Sequence, residues 1–184
     1  MTISEDKRVV LIRHAKSAWP DVPDDERPLG KRGRRDAPVI GRWLAAADCE
    51  PDLVLCSPAR RTRETWQLAS AALGATPPVT LESVIYGGSA ASLLDLVRHA
   101  PGAARTVALV GHDPGIPDLA LMLSGARDDA APAAREAAAL DRIREKFPTA
   151  AVAVLAFSGS WAQLGRTRAH LAEFVTPRDL AGRA

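Results

Sequence analysis

Only two cysteines occur in the 184 residues, Cys49 and Cys56, and they are not spaced as a C-x-x-C redox or zinc pair. No disulfide framework is implied, which suits a cytoplasmic location. Long apolar runs are missing as well, since no stretch approaches the about 20 residues of a membrane span. The N-terminus from Met1 to Arg8 is polar, so no signal peptide is expected there. Net charge is only +2, too little to call for a nucleic-acid partner. No repeat or linker interrupts the chain, and 184 residues suit a single domain, 1–184, with its own core. What remains is a globular composition, 47% hydrophobic and 25% charged.

The basic residues are unevenly spread. Residues 1–65 carry 13 of the 24 Lys and Arg, notably in Lys31-Arg32-Gly33-Arg34-Arg35 and Arg60-Arg61-Thr62-Arg63. Interleaved acids make most of these a solvated face, Lys16 and Lys31 to Arg35 included. One or two of the arginines are candidates to face an anion.

Apolar periodicity outlines the elements. Val9-Val10-Leu11-Ile12, Leu53-Val54-Leu55-Cys56 and Thr106 to Val110 read as short buried strands, and Ala151 to Phe157 and Leu171 to Val175 as later ones. Helices are expected over 34–47, from Ser57-Pro58 to about Leu73, around Ala90 to Val97, around Ile116 to Leu123, and in the Ala-rich stretch 130–147. Ser57 and Pro58 suit the N-cap and first position of the second of these helices. Residues 13–30 hold Pro20, Pro23, Pro28 and Gly30 and read as an irregular loop. Strands alternating with helices predict an α/β fold with a mostly parallel sheet. Ligands of such sheets bind beyond the carboxyl ends of the strands.

The chemistry follows the strand ends. Arg13-His14-Ala15-Lys16-Ser17 follows the first strand, Ser57-Pro58-Ala59-Arg60-Arg61-Thr62 the second, and Gly111-His112-Asp113 the third. On one sheet edge these place two histidines and several arginines together. A phosphoryl group spreads negative charge over three oxygens, and fixed arginines stabilise it. A neutral imidazole can attack it, and nearby arginines help to keep that imidazole unprotonated. Arg-His-Ala recurs at 98–100, but there it ends a helical pattern before Pro101-Gly102. His99 and His170 are expected to be structural.

With these motifs the chain resembles the histidine phosphatase superfamily, which includes the phosphoglycerate mutases, and within it the small bacterial phosphohistidine phosphatases called SixA. The family's Arg-His-Gly appears as Arg13-His14-Ala15, with Ala in place of Gly. Arg-Pro-Leu with a following Gly appears as Arg27-Pro28-Leu29 and Gly33, and Ser-Pro-x-x-Arg-x-x-x-Thr as Ser57-Pro58 with Arg61 and Thr65. Gly-His with a Pro two residues on appears as Gly111-His112-Asp113-Pro114, and the likeness runs from about residue 8 to 125. The resemblance implies a three-layer, phosphoglycerate mutase-like sandwich. It makes His14 the nucleophile and Arg13, Arg61 and His112 the phosphate holders, with Ser17 as a further phosphate contact; Arg27 and Asp25 are read either as substrate contacts or as loop structure. Glu82 and Asp113 are the candidates for a general acid. No metal or other cofactor is expected, and the partner is a phosphorylated protein or a small phosphorylated substrate.

Other readings weigh less. A metal bound by His14, His112 and Asp113 would be repelled by Arg13 and Arg61. A serine hydrolase using Ser57 lacks the G-x-S-x-G elbow. Small phosphate esters are the alternative substrates, and a non-catalytic phosphate-binding module is the alternative outside enzymes.

Overall fold

In the computed structural model, which describes residues 7–125 and 132–181, six strands form one sheet in the order β3-β2-β4-β1-β5-β6. These are β1 (Lys7–Arg13), β2 (Leu53–Cys56), β3 (Val79–Leu81), β4 (Thr106–Gly111), β5 (Val152–Phe157) and β6 (His170–Val175). The four strands β3, β2, β4 and β1 run parallel, and β5 runs antiparallel to both its neighbours. The sheet is thus mostly parallel, as the alternating pattern requires.

Successive side chains of a strand point to opposite faces, and the central strands are apolar on both. Val9 and Leu11 join Leu55, Val107, Leu109 and Leu155 on one face, covered by Leu93, Val97, Ile116, Leu119, Leu123, Leu140 and Ile143. Those residues come from α4 (Ala90–Arg98), α5 (Gly115–Ser124) and α6 (Ala134–Glu145). Val10 and Ile12 join Val54, Cys56, Ala108 and Val110 on the other face, under Ile40, Trp43, Leu44, Trp66, Ala69 and Leu180. That cover comes from α1 (Lys31–Ala46), α2 (Arg60–Ser70) and α7 (Pro177–Ala181). Three layers result. Each buried Leu, Ile or Val contributes about 1.5–3 kcal/mol.

Several boundaries differ from expectation for local reasons. The first helix starts at Lys31 rather than 34, capped by Gly30. Its Gly33 lies against the Lys16 backbone so closely that a Cβ would fall 2.2 Å from the Lys16 carbonyl oxygen. The second helix starts at Arg60, two residues after Pro58, and ends at Ser70, short of Leu73. Ser57 is therefore not its N-cap. The edge strand β3 and the short helix α3 (Val84–Gly87) carry no strong sequence signal, because Val79-Thr80-Leu81 is brief and exposed. The Ala-rich stretch is helical over Ala134–Glu145, and its first two residues, 130 and 131, lie outside the described residues. No helix among the described residues is long and apolar enough to cross a membrane.

Candidate active site

Strand register brings the two histidines together. In the parallel pair β1 and β4, Arg13 stands opposite Gly111. The next residue on each strand is a histidine, and the His14 and His112 rings lie 5.2 Å apart between centroids. The His14 amide donates to the Gly111 carbonyl at 3.0 Å, closing the ladder at this edge. The Ala15 amide donates to Thr65 Oγ1 at 2.9 Å, and that hydroxyl donates to the Arg61 carbonyl at 2.6 Å. The Thr of the Ser-Pro motif thus fixes the turn that carries His14.

The partners of each ring define its tautomer. His14 Nδ1 lies 2.8 Å from the Ala15 carbonyl, which only accepts, so Nδ1 carries the hydrogen and Nε2 the lone pair. His112 Nδ1 lies 3.3 Å from Arg61 Nη2, which only donates, so His112 Nδ1 accepts. Its Nε2–H then donates to Ser57 Oγ at 2.8 Å. Burial pushes the His14 pKa down to about 4; the bond to Ala15 opposes this, and Arg61, Arg13 and Arg27 reinforce it. Burial likewise pushes His112 down to about 3, helped by His14 and Arg61 and opposed by Asp24. Both rings are neutral at neutral pH.

The arginines ring this pair. Arg61 is buried, whereas Arg60 points to solvent and pairs with Glu64 at 2.7 Å. Arg61 Nη1 donates to the Asp24 carbonyl at 2.5 Å and Nη2 to the Asp24 carboxylate at 2.9 Å. Arg27, also buried, donates to Asp24 Oδ1 at 2.8 Å, to Ser17 Oγ at 2.7 Å and to the Ala18 carbonyl at 3.1 Å. Its guanidinium lies 3.3 Å from the Trp19 ring centre, a stacked arrangement. Arg13 pairs with Asp113 at 2.8 Å and donates to the Phe147 carbonyl at 2.6 Å, while its buried Nε has no hydrogen-bond partner among the described residues. Burial lowers the Arg13 pKa and Asp113 holds it up.

Of the residues expected here, Arg13, His14, Ser17, Arg27, Arg61, His112 and Asp113 all lie at this edge. Asp113 is tied to Arg13. Glu82 follows β3 on the same edge, its amide bonded to the Cys56 carbonyl at 2.9 Å, but no hydrogen bond or ion pair of its side chain reaches the site among the described residues. His99 caps α4 and bonds the Asp95 carbonyl at 2.8 Å, and His170 lies exposed on β6.

Three participants escaped sequence reasoning. Ser57, read as a helix cap, is the acceptor for His112. Asp24, one of three consecutive acids in a loop, takes both Arg27 and Arg61. Tyr86 on α3 donates to Asp24 Oδ2 at 2.5 Å, and its ring meets the His112 ring edge-on at 5.2 Å. Hydrogen bonds from Tyr86, Arg27 and Arg61 hold the Asp24 carboxyl far below the usual carboxylate range. A cleft of about 290 Å³ opens beside His112 and Tyr86, bounded by Gly88, Asp113 and Asp118.

Known proteins resemble this chain in sequence and fold. The family model of the histidine phosphatase superfamily, branch 1, matches residues 9–85. An uncharacterized protein of Mycobacterium tuberculosis is 38% identical over 168 residues, covering 91% of this chain and 100% of its own. The chain belongs to the histidine phosphatase superfamily. Within it the chain falls in the SixA-type branch. A protein provisionally named phosphohistidine phosphatase SixA, from Nakamurella multipartitia, superposes with a TM-score of 0.81 at 32% identity, covering 94% of this chain and 96% of that one. A second of the same provisional name, from Agrobacterium tumefaciens, gives 0.75 at 29% identity over 93% and 98%. The fold is phosphoglycerate mutase-like, and its class is that of phosphatase hydrolases.

Proposed function

We propose that this chain hydrolyses phosphohistidine on proteins by way of a phosphorylated His14. The observation that carries the reading is the state of His14: neutral, with Nδ1–H bonded to the Ala15 carbonyl and Nε2 left with its lone pair beside His112 and the arginines. Nε2 attacks phosphorus as the P–N bond to the substrate imidazole breaks. A phosphohistidine protonated on its second ring nitrogen departs as neutral imidazole and needs no proton from the enzyme. Water then attacks phosphorus, its proton passes to solvent, and His14 leaves as the neutral Nδ1–H tautomer, releasing phosphate. Arg13, Arg27 and Arg61 stabilise the equatorial oxygens, with Ser17 and His112 as further contacts.

The choice of leaving group rests on the acids. An alkoxide needs a positioned general acid. Asp113 is ion-paired with Arg13, and among the described residues no hydrogen bond or ion pair of the Glu82 side chain reaches the site. The names of the two provisional SixA relatives support the same substrate class, and the buried free thiols Cys49 and Cys56 suit the cytoplasm. The arginines supply the charge that Mg²⁺ brings to other phosphoryl transfers, so activity is expected to survive EDTA. The test compares kcat/KM on a phosphohistidine peptide with that on alkyl phosphates. A preference for the alkyl esters, removed by Glu82→Gln or Asp113→Asn, would overturn the substrate assignment.

A further inference from the structure

The arginines of the site already hold an anion, and it is a side chain of the protein. Resting on the phosphatase reading above, we propose that Asp24 is a built-in competitor of the substrate phosphoryl group, and that the site admits only ligands charged strongly enough to displace it.

Three donors converge on this one residue. Arg61 spends one guanidinium nitrogen on the Asp24 carbonyl and the other on its carboxylate, Arg27 takes the second carboxylate oxygen, and the Tyr86 hydroxyl takes the first. Two guanidinium groups and a hydroxyl around a compact anion are the donor set that a tetrahedral phosphoryl group requires. Asp24 and His112 Nδ1 take both hydrogens of Arg61 Nη2, so that nitrogen has none left for a phosphate while Asp24 is bound.

The two sides of the contact differ in how firmly they are held. Arg27 and Arg61 are 9% and 8% exposed in their side chains, whereas the Asp24 side chain is 53% exposed. Arg27 is further fixed by Ser17, by the Ala18 carbonyl and by Trp19, and Arg61 by the helix that carries it. Asp24 begins a three-residue 3-10 turn, Asp24–Glu26, at the tip of a loop whose base is closed by bonds from Ala18 to Pro28 and from Gly30 to Lys16. When a ligand arrives, the acceptor on the loop tip is the part free to leave, and the donors stay.

Selection by charge follows. Asp24 offers one negative charge and no loss of translational freedom, because it is already tethered. A carboxylate or a sulfate monoester, also singly charged, gains nothing over it. A phosphoryl dianion brings a second charge and a third oxygen and wins the exchange. The apparent affinity for any anion is lowered by the fraction of molecules in which Asp24 holds the arginines.

The test is calorimetric titration with inorganic phosphate, which needs no turnover. Asp24→Asn keeps the shape and removes the charge, and is expected to bind phosphate about 10-fold more tightly than wild type, the effect of about 1.4 kcal/mol. Tyr86→Phe, which removes one tie to Asp24, is expected to tighten binding by about two- to threefold, or about 0.5 kcal/mol. Asp21→Asn removes the same charge from the same loop without touching an arginine, and is expected to change binding by less than about twofold. Equal or weaker binding by Asp24→Asn would overturn the inference and make Asp24 a positioning residue for Arg61. Equal tightening by Asp21→Asn would overturn it too, leaving only the loop's net charge. If Asp24→Asn tightens phosphate binding but neither it nor wild type turns over any phosphorylated substrate, the inference stands and the phosphatase reading falls.

Discussion

Arg-His-Ala occurs twice in this chain, and its two copies have different surroundings. At 13–15 it crosses the carboxyl end of a buried parallel strand. There His14 is enclosed beside His112, and burial drives its pKa to about 4. At 98–100 it ends a surface helix, where His99 is exposed and bonds the Asp95 carbonyl one turn back, and Arg98 reaches the Leu164 carbonyl at 2.9 Å. The three side chains are the same, and among the described residues no arginine hydrogen bond and no neighbouring imidazole ring reaches the second histidine. Reactivity here belongs to the strand edge and to what the sheet gathers around it, not to the tripeptide.

The sharpest way to break this contrast is to delete each histidine. His14→Ala is expected to lower turnover of a phosphohistidine substrate by on the order of 10⁴-fold or more, as losses of a nucleophile do, with the fold retained. His99→Ala is expected to leave turnover within about twofold. Labelled substrate quenched without acid should trap phosphate at position 14 alone. Label on His99, or an active His14→Ala protein, would end the argument.

A neighbouring pair repeats the contrast one step down. Arg60 and Arg61 are adjacent, yet one is a solvent-facing partner of Glu64 and the other is buried against His112. Arg61→Ala is expected to cost about 10²–10³-fold in kcat, the scale for one lost transition-state donor. Arg60→Ala removes only a surface ion pair and is expected to cost less than about twofold in kcat. A reversed order would mean that the Ser-Pro motif has been aligned one residue off.

Much of this was legible because strand ends are legible. Val9 to Ile12, Leu53 to Cys56 and Thr106 to Val110 are apolar on both faces, as central parallel strands must be, and each is followed at once by charged or polar residues. Hence Arg13, His14, Arg61 and His112 could be gathered without coordinates. What escaped depends on distant closure. Asp24 stands among three consecutive acids, and only the return of the loop selects it. Tyr86 rides on a short helix behind a three-residue edge strand with no buried face. Ser57 carried a local signal of its own, Ser before Pro, which pointed to a helix cap. The acceptor it offers His112, 55 positions away in sequence, is invisible to any local rule.

The depressed histidines give the third test. In the unfolded chain the His14 imidazole titrates at its ordinary value of 6.5, and in the folded protein at about 4. Between those values the unfolded state binds a proton that the native state refuses, so stability rises with pH across the window. The contribution is fully present above pH 6.5 and is lost as the pH falls towards 4. The slope is no more than about 1.4 kcal/mol per pH unit for this residue. Urea unfolding from about pH 7 to about pH 4 should show the decline, and His14→Phe should make it shallower while the part due to His112 remains. A wild-type curve without slope in that range would mean that the ring is less enclosed than the geometry gives.

The smallest expected effect concerns Ser57, where the site and the plain structural reading differ most finely. Its hydroxyl is fully buried and receives the His112 Nε2–H at 2.8 Å, which leaves Nδ1 as the acceptor towards Arg61. Ser57→Ala removes that acceptor. A helix cap would lose stability and nothing else, but α2 begins beyond Ser57, and the Ala59 amide that precedes it reaches the Ser57 hydroxyl only at 3.4 Å. The loss should therefore fall on the orientation of the His112 ring. We expect kcat to drop about 10-fold, the value of one hydrogen bond of about 1.4 kcal/mol, with KM for substrate little changed. Nitrogen-15 spectra of the histidine rings supply the readout that stability alone cannot. Wild type should hold His112 with its hydrogen on Nε2, and Ser57→Ala should show a mixture of tautomers. If the variant keeps a single tautomer and full kcat while melting earlier, Ser57 serves the fold alone. The contrast between the two Arg-His-Ala copies would then rest on the arginines without any help from the way His112 is held.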